Sequence, residues 1–366
     1  MANILVSLIS DQAIPNLEMI KEKPVDAYLF ILTEQMKEKL GWLKEAAGLK
    51  NSSIIQELIV NAFSFEDIEK KLSDIVSDDH HYLVNLTGGT KIMSLAVSDF
   101  FKNIDCELLY VPGSMNSYFR LFPGIKKPVF PFTTNITLEE YVIAYGFTIK
   151  KKGQLLTTPE KTENIFNYYL NHFNTEIDGK PLNLIHGRRG RNMNNIDDDN
   201  DILSFLNRLS YIPKTPNKLN SQETRYLTGD WFEDYIYNLV KKFYKLNDDE
   251  IGVGWELQKG EHNTPNEFDI LFIKDKKLNI IECKTSVLLS GPTDKKNIIT
   301  ETIYKVDSLK NKFGLLAKTN IITLTNLNEL DHSIKKSIER AEESRIGLFS
   351  KKDFQDETFP ENIFKK

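Results

Sequence analysis

The chain has 366 residues, more than one ordinary hydrophobic core accommodates, so two domains and a connector are expected. Its 40% hydrophobic and 27% charged residues are those of a soluble globular protein, and no apolar run approaches the roughly 20 residues of a membrane helix. A formal net charge of −5 excludes a globally basic nucleic-acid binder, so contacts of that kind need a local patch.

The opening MANILVSLIS has no basic region ahead of its apolar run and reads as a strand, not a signal peptide, so a cytoplasmic protein with no membrane partner is expected. Residues 3–9, 27–32, 54–60 and 82–86 are apolar or β-branched runs. Helical spacing falls between them near 14–22, through Met36, Leu40, Leu43 and Ala47, and near 65–76. After Gly88 and Gly89 a strongly apolar helix runs through Ile92, Met93, Ala96, Val97 and Phe100, and strands near 106–111 and 117–122 follow. Continuous apolar strands alternating with helices predict a parallel sheet covered on both faces, hence a Rossmann-like domain over 1–125.

Residues 126–223 read as a connector. A helix near 138–145 and a basic hairpin around Lys150, Lys151 and Lys152 suggest a winged-helix-like piece, and 186–201 (HGRRGRNMNNIDDDND) reads as an exposed loop. Asp197, Asp199 and Asp201 imitate the start of a calcium loop. Ile202 stands where the loop needs glycine and Arg208 where it needs glutamate, so that reading fails. From 224 onward a second α/β unit is expected. It begins with a helix over 228–244 and strands near 251–258, 267–273 and 278–283. A loop at 290–292, a helix near 297–312, a strand at 319–324 and a helix near 332–343 complete it.

The two cysteines, Cys106 and Cys283, stand outside any CxxC spacing, and the six histidines form no HExxH pattern, which excludes a disulfide framework and a cysteine-rich zinc site. Chemistry concentrates instead in EFDILFIKDKKLNIIECKTS. Asp269 lies in one apolar strand, and a turn at 274–277 leads to a second strand ending in Glu282, Cys283 and Lys284. A tight hairpin sets Asp269 beside Glu282, and residues two apart on a strand share a face, so Lys284 joins them. Two carboxylates with the Cys283 carbonyl can hold Mg²⁺ or Mn²⁺, while Lys284 orients water or stabilises developing negative charge. Glu233, in the preceding helix, is a candidate fourth acid, with Asp230 and Asp234 expected to be more exposed. The alternative is a set of surface charges with Lys284 merely pairing Glu282, but charges in apolar strands are costly without a role.

The pattern FD-x12-ECK resembles the PD-(D/E)xK nuclease superfamily of restriction enzymes and junction resolvases over about 225–345, although Glu267 and Phe268 replace the proline of the eponymous motif. Between positions 274 and 312 nine lysines face five acidic residues, and Tyr304, Lys305 and Lys310 are candidate phosphate contacts.

In the first domain, Asn85-Leu86-Thr87-Gly88-Gly89-Thr90-Lys91 leaves a strand and opens a helix. Its glycines allow close backbone approach, and the helix start, two threonine hydroxyls and a lysine suit a phosphate-bearing ligand. The spacing is neither GxxxxGK nor GxGxxG. A first-strand loop with Ser10, Asp11 and Gln12 leaves the same sheet edge. Together these elements resemble the CARF domain, the Rossmann-like sensor of cyclic oligoadenylates in type III CRISPR defence.

The combined resemblance implies a homodimer that binds cyclic oligoadenylate, cyclic tetra-adenylate first, through Thr87, Gly88, Gly89, Thr90 and Lys91, with Ser10, Asp11 and Gln12 as further contacts. It implies ligand-activated, metal-dependent cleavage of DNA, single-stranded or duplex, with RNA as a further candidate. Two other readings are a stand-alone restriction- or resolvase-type nuclease, and a nucleotide-responsive DNA-binding regulator with a degenerate nuclease fold.

Overall fold

The computed structural model describes residues 1–49, 54–113, 115–285, 297–325 and 332–365, and the loop expected at 290–292 lies outside them. Five short runs, β1 (Asn3–Leu8), β2 (Ala27–Leu32), β3 (Ile54–Ile59), β4 (His81–Asn85) and β5 (Cys106–Tyr110), pair in parallel. Antiparallel β6 (Ser117–Phe122) and β7 (Val129–Pro131) extend the sheet to the order β3-β2-β1-β4-β5-β6-β7. Helices Ile14–Glu22 and Lys37–Ala46 bury Leu17, Leu40 and Leu43 with Leu5 of β1. Helices Phe65–Ser73 and Lys91–Phe101 bury Ile68, Leu72, Met93 and Val97 with Val6 and Leu8. Both faces of β1 are therefore covered, which is why its sequence is apolar without alternation. Strand order reverses between β1 and β4, so the loops at 9–12 and 86–90 open on one crevice at the carboxyl edge, where such sheets take ligands.

The stretch between the two α/β units is built into the second one. Its strand β8 (Phe147–Lys151) pairs antiparallel with a later strand of the second sheet. Helices Pro159–Asn171, Thr175–His186 and Asn200–Arg208 pack through Ile165, Phe166, Ile185 and Phe205 against helix Trp231–Tyr244. Phe166 stacks on Tyr235 with centroids 3.8 Å apart, and Tyr169 stacks on Trp231 at 4.7 Å. The segment 186–201 is not simply an exposed loop. Its β9 (Met193–Asn195) pairs with β10 (Lys218–Asn220), Ile196 is buried, and Asp199 caps helix Asn200–Arg208 by accepting from the Ile202 N–H at 3.2 Å. A three-residue strand is too short to leave a period in the sequence.

The second sheet comprises β8, β11 (Ile251–Lys259), β12 (Asn266–Lys274), β13 (Lys277–Lys284), β14 (Lys318–Thr323) and β15 (Ile346–Phe349), in the order β15-β14-β13-β12-β11-β8. The first four strands in chain order form antiparallel pairs, and β13, β14 and β15 run parallel. Ile251, Val253, Ile270, Phe272 and Ile281 pack with helix Trp231–Tyr244. Trp255, Leu257, Phe268, Leu271, Ile273 and Leu278 instead share one cluster with the first domain's Leu5, Leu17, Phe30 and Leu40. Helix Leu138–Ala144 sits in that seam, its Tyr141 hydroxyl donating to the Phe313 carbonyl at 3.5 Å. Both α/β units thus pack on one continuous core. Among the described residues no helix is long and apolar enough to cross a membrane.

Candidate functional site

Strands β12 and β13 are joined by a two-residue turn, Asp275 and Lys276, both left-handed at φ 49° and 62°, the geometry of a tight hairpin with matching twist. Pairing runs from Lys274↔Lys277 to Ile270↔Ile281, and one further step sets Asp269 opposite Glu282. Both carboxylates are buried, 7% and 4% exposed. Lys284 brings its Nζ to 2.8 Å from Glu282 Oε1 and 3.5 Å from Asp269 Oδ2. The Cys283 N–H donates to Asp269 Oδ2 at 2.7 Å, and the Cys283 carbonyl accepts from Lys284 Nζ at 3.2 Å. From helix Asn297–Lys310, Lys305 Nζ donates to both oxygens of Glu282 at 3.0 and 3.3 Å.

Glu233 lies in the first turn of helix Trp231–Tyr244, half-buried and facing the same cluster. Burial, then the charges of Asp269 and Asp230, push its carboxyl up to about 9. Burial and Glu282 push Asp269 up to about 6. Burial also works to raise Glu282, but Lys284 and Lys305 outweigh it and hold that carboxyl low. Lys284 is carried upward despite burial, because Asp269 and Glu282 favour its charge. Buried carboxyls such as Glu233 and Asp269, whose charged forms are disfavoured by burial and by a neighbouring acid, form a site that favours a cation.

Asp269, Glu282 and the Cys283 carbonyl are hard oxygen donors of the kind Mg²⁺ and Mn²⁺ take, with Glu233 facing them, so the residues fit such an ion. Among the described residues no three His, Cys, Asp or Glu side chains are grouped so that they could hold a metal ion, and Glu282 is paired with Lys284 and Lys305. Asp234, expected to be more exposed than Glu233, is 2% exposed and accepts from the Leu156 N–H at 2.8 Å, anchoring the preceding segment instead.

In the first domain, Ser10, Asp11, Gln12, Thr87 and Gly89 line one cavity of about 370 Å³. Gly88 presses on β1 so closely that a Cβ there would lie 2.0 Å from the Leu8 carbonyl oxygen, and Gly89 adopts φ 73°. Buried Asn16 ties the loops together. Its Nδ2 donates to the Leu8 carbonyl at 2.9 Å, and its Oδ1 accepts from Asn85 Nδ2 at 2.8 Å. The Thr87 hydroxyl donates to Asn85 Oδ1 at 2.6 Å and accepts from the Val111 N–H at 2.8 Å, so it fixes the loop. Thr90 caps helix Lys91–Phe101, accepting from the Met93 N–H at 3.2 Å and donating to the Ala62 carbonyl at 2.7 Å, with Lys91 exposed beside it. Asp11 pairs with Lys39. The sequence reading missed the rest of this cavity. Tyr110 ends β5 and Met115 follows it, and Lys276, Leu315 and Leu316 come from the second domain. None of these carries a local motif, so only the folded seam identifies them.

A Rossmann-like ligand sensor packed on a sheet with a hairpin-borne Asp–Glu–Lys centre defines a ligand-regulated nuclease. Residues 4–141 match the family model of the Card1 CARF domain and residues 220–356 that of the Card1-like endonuclease domain. The chain is thus a CARF–nuclease ancillary protein of type III CRISPR systems.

Among solved structures, it resembles Can2 from Sulfobacillus thermosulfidooxidans in complex with cyclic tetra-adenylate, at 22% identity and TM-score 0.72, covering 94% of this chain and 92% of that one. Protein VC1899 from Vibrio cholerae matches at 17% identity and TM-score 0.76, covering 97% and 95%. A type III CRISPR defence DNA nuclease activated by cyclic oligoadenylate matches at 14% identity and TM-score 0.55, covering 88% of this chain and 45% of that one. These likenesses are of fold. No curated protein matches the sequence.

Proposed function

We propose that this chain is a metal-dependent endonuclease switched on by cyclic tetra-adenylate, with DNA as the first substrate and RNA as the second. The observation that carries the reading is the convergence of Asp269, Glu282 and Lys284 on a hairpin that packs against the sensor's core. Support for the activator comes from the cavity at the switch point and from the cyclic tetra-adenylate bound by the Can2 relative.

Asp269, Glu282 and the Cys283 carbonyl would hold Mg²⁺ or Mn²⁺, with Glu233 as a further acid. When bound, the ion supplies charge that polarises the scissile phosphate and acidifies water. Lys284 stays cationic between its two carboxylates, so it acts as a fixed positive charge toward the developing phosphorane, not as a base. The backbone N–H of Cys283 keeps one Asp269 oxygen oriented, leaving the other for the cation. Arg189 donates to Thr228 Oγ1 at 2.6 Å and lies within electrostatic reach of Glu233, which makes it a candidate contact for the substrate backbone.

Exposed Leu95 and Phe63, at 64% and 77%, give the sensor apolar surface for a second copy of the chain, consistent with a homodimer around one cyclic ligand. The test is cleavage of labelled single-stranded DNA, duplex DNA and single-stranded RNA with Mn²⁺ or Mg²⁺, with and without cyclic tetra-adenylate. Cleavage only with both ion and ligand is expected. Cleavage with metal alone would leave a nuclease and remove the sensor, and a mobility shift without cleavage would favour a regulator.

A further inference from the structure

The cavity at the CARF switch point is closed on one side by the nuclease. Lys276, at the tip of the β12–β13 hairpin, lines it together with Ser10, Gln12, Thr87 and Gly89. Its side chain is 15% exposed, its Nζ lies 3.6 Å from the ring centroid of Phe132, and it forms an ion pair with Glu18. The Glu18 side chain is 4% exposed, and among the described residues neither its Oε1 nor Lys276 Nζ has a hydrogen-bond partner outside that pair. Glu18 belongs to helix Ile14–Glu22, the same helix whose Asn16 holds the Leu8 carbonyl and Asn85 at the roots of both ligand loops. At the opposite end of the hairpin stand Asp269 and Glu282.

We propose that Lys276 is a ligand-binding residue delivered to the sensor by the nuclease domain, exchanging Glu18 for a phosphodiester of the bound nucleotide and passing that exchange along β12 and β13 to the catalytic carboxylates. The inference rests on the cyclic-nucleotide reading of the cavity.

Three observations support it. The first is chemical. A phosphodiester stays ionised throughout the physiological range, whereas burial pushes Glu18 up to about 7 and Lys276 downward, so the resting pair is under-compensated. An entering anion is a better partner for the lysine than the carboxylate it displaces. The second is mechanical. Lys276 occupies a two-residue turn in which both residues are left-handed, so a shift of its ammonium is transmitted into paired strands and not absorbed by slack loop. The third concerns charge. Thr87 and Thr90 spend their hydroxyls within the fold and Asp11 is itself acidic, so a buried cation from another element answers the cavity's need for positive charge.

The experiment uses the full chain and three variants, K276M, K276R and E18Q. Thermal melting establishes folding, titration with labelled cyclic tetra-adenylate gives affinity, and cleavage in Mn²⁺ gives the activation curve. K276M is expected to weaken ligand binding at least tenfold and to shift activation by at least as much. K276R restores part of both, and E18Q, which releases the lysine, moves half-activation to lower ligand. If K276M melts like wild type and binds and responds like it, the proposal is wrong while the sensor reading stands. A wild-type chain that neither binds nor responds overturns both. Should K276M not fold, E18Q with an unshifted activation curve would overturn the proposal by itself.

Discussion

Lys305 reaches across from its helix to both carboxylate oxygens of Glu282, at 3.0 and 3.3 Å. A divalent cation that uses Glu282 must displace this contact. Charge-assisted bonds of this kind are worth about 1.5–3 kcal/mol, so K305M should lower the Mn²⁺ concentration for half-maximal thermal stabilisation by about tenfold. An unchanged or weaker metal response would show that Lys305 does not compete for the site.

Removal of the chemistry itself has a sharper signature. K284A should reduce cleavage by on the order of 100- to 1,000-fold, as loss of a pre-organised positive group does, and E282A by at least as much. Both should bind cyclic tetra-adenylate as wild type does, because the hairpin's tip is untouched. Comparable initial rates of substrate cleavage in E282A and wild type would remove Glu282 from the centre.

In the sensor, Gly88 is the residue least able to change. A methyl group there would sit 2.0 Å from the Leu8 carbonyl oxygen, a backbone atom that cannot turn aside. G88A should cost about 1–3 kcal/mol of stability by overpacking and push the loop off β1. Denaturant melts combined with ligand titration check this, and a variant with wild-type melting and affinity would contradict the tight approach.

Thr90 and Lys91 should separate structure from binding. T90V removes the cap on Met93 and the bond to Ala62, so about 1 kcal/mol of stability should disappear. K91A leaves an exposed helix position and should leave melting unchanged, while the activator concentration required rises. Equal effects of the two variants on melting would mean that Lys91, too, is structural.

Glu18 predicts a pH effect on stability. Its carboxyl is raised from 4.5 to about 7 by burial, against the pull of Lys276, with Glu22 adding to the rise and the Tyr141 phenol also facing it. The folded state therefore binds more protons than the unfolded chain between those values. The stability this group contributes is complete below pH 4.5 and is lost as pH climbs through about 7. The difference corresponds to about 3 kcal/mol at most. Urea unfolding of E18Q across that window should show a flatter pH dependence than wild type, and parallel curves would sink the assignment.

Most of the Rossmann-like unit was legible because its central strands β1 and β2 are buried on both faces and its helices alternate with them. The nuclease hairpin was legible because Asp269 and Glu282 interrupt apolar strands, where an unpaired charge is expensive. Lys305 could not be assigned to Glu282, since a lysine in a mixed helix carries no signal of what it faces. Asp234 seemed exposed because its partner, the Leu156 N–H, lies 78 residues earlier. The middle stretch defeated sequence reading for the same reason. Strand β8 and the helices after it acquire their buried faces from β11 and helix Trp231–Tyr244, which appear only later in the chain.

The seam between sensor and nuclease, where Trp255, Leu257 and Phe268 pack with Leu5, Leu17 and Phe30, bears on how such proteins can be re-engineered. Cutting the chain between its two family-defined regions would bare a broad apolar surface on each piece, inviting aggregation of both. A new specificity is therefore better introduced by repainting the cavity wall than by swapping in a foreign receptor. Descent should follow the same constraint, with sensor and cutter inherited as one piece and their facing residues changing in step.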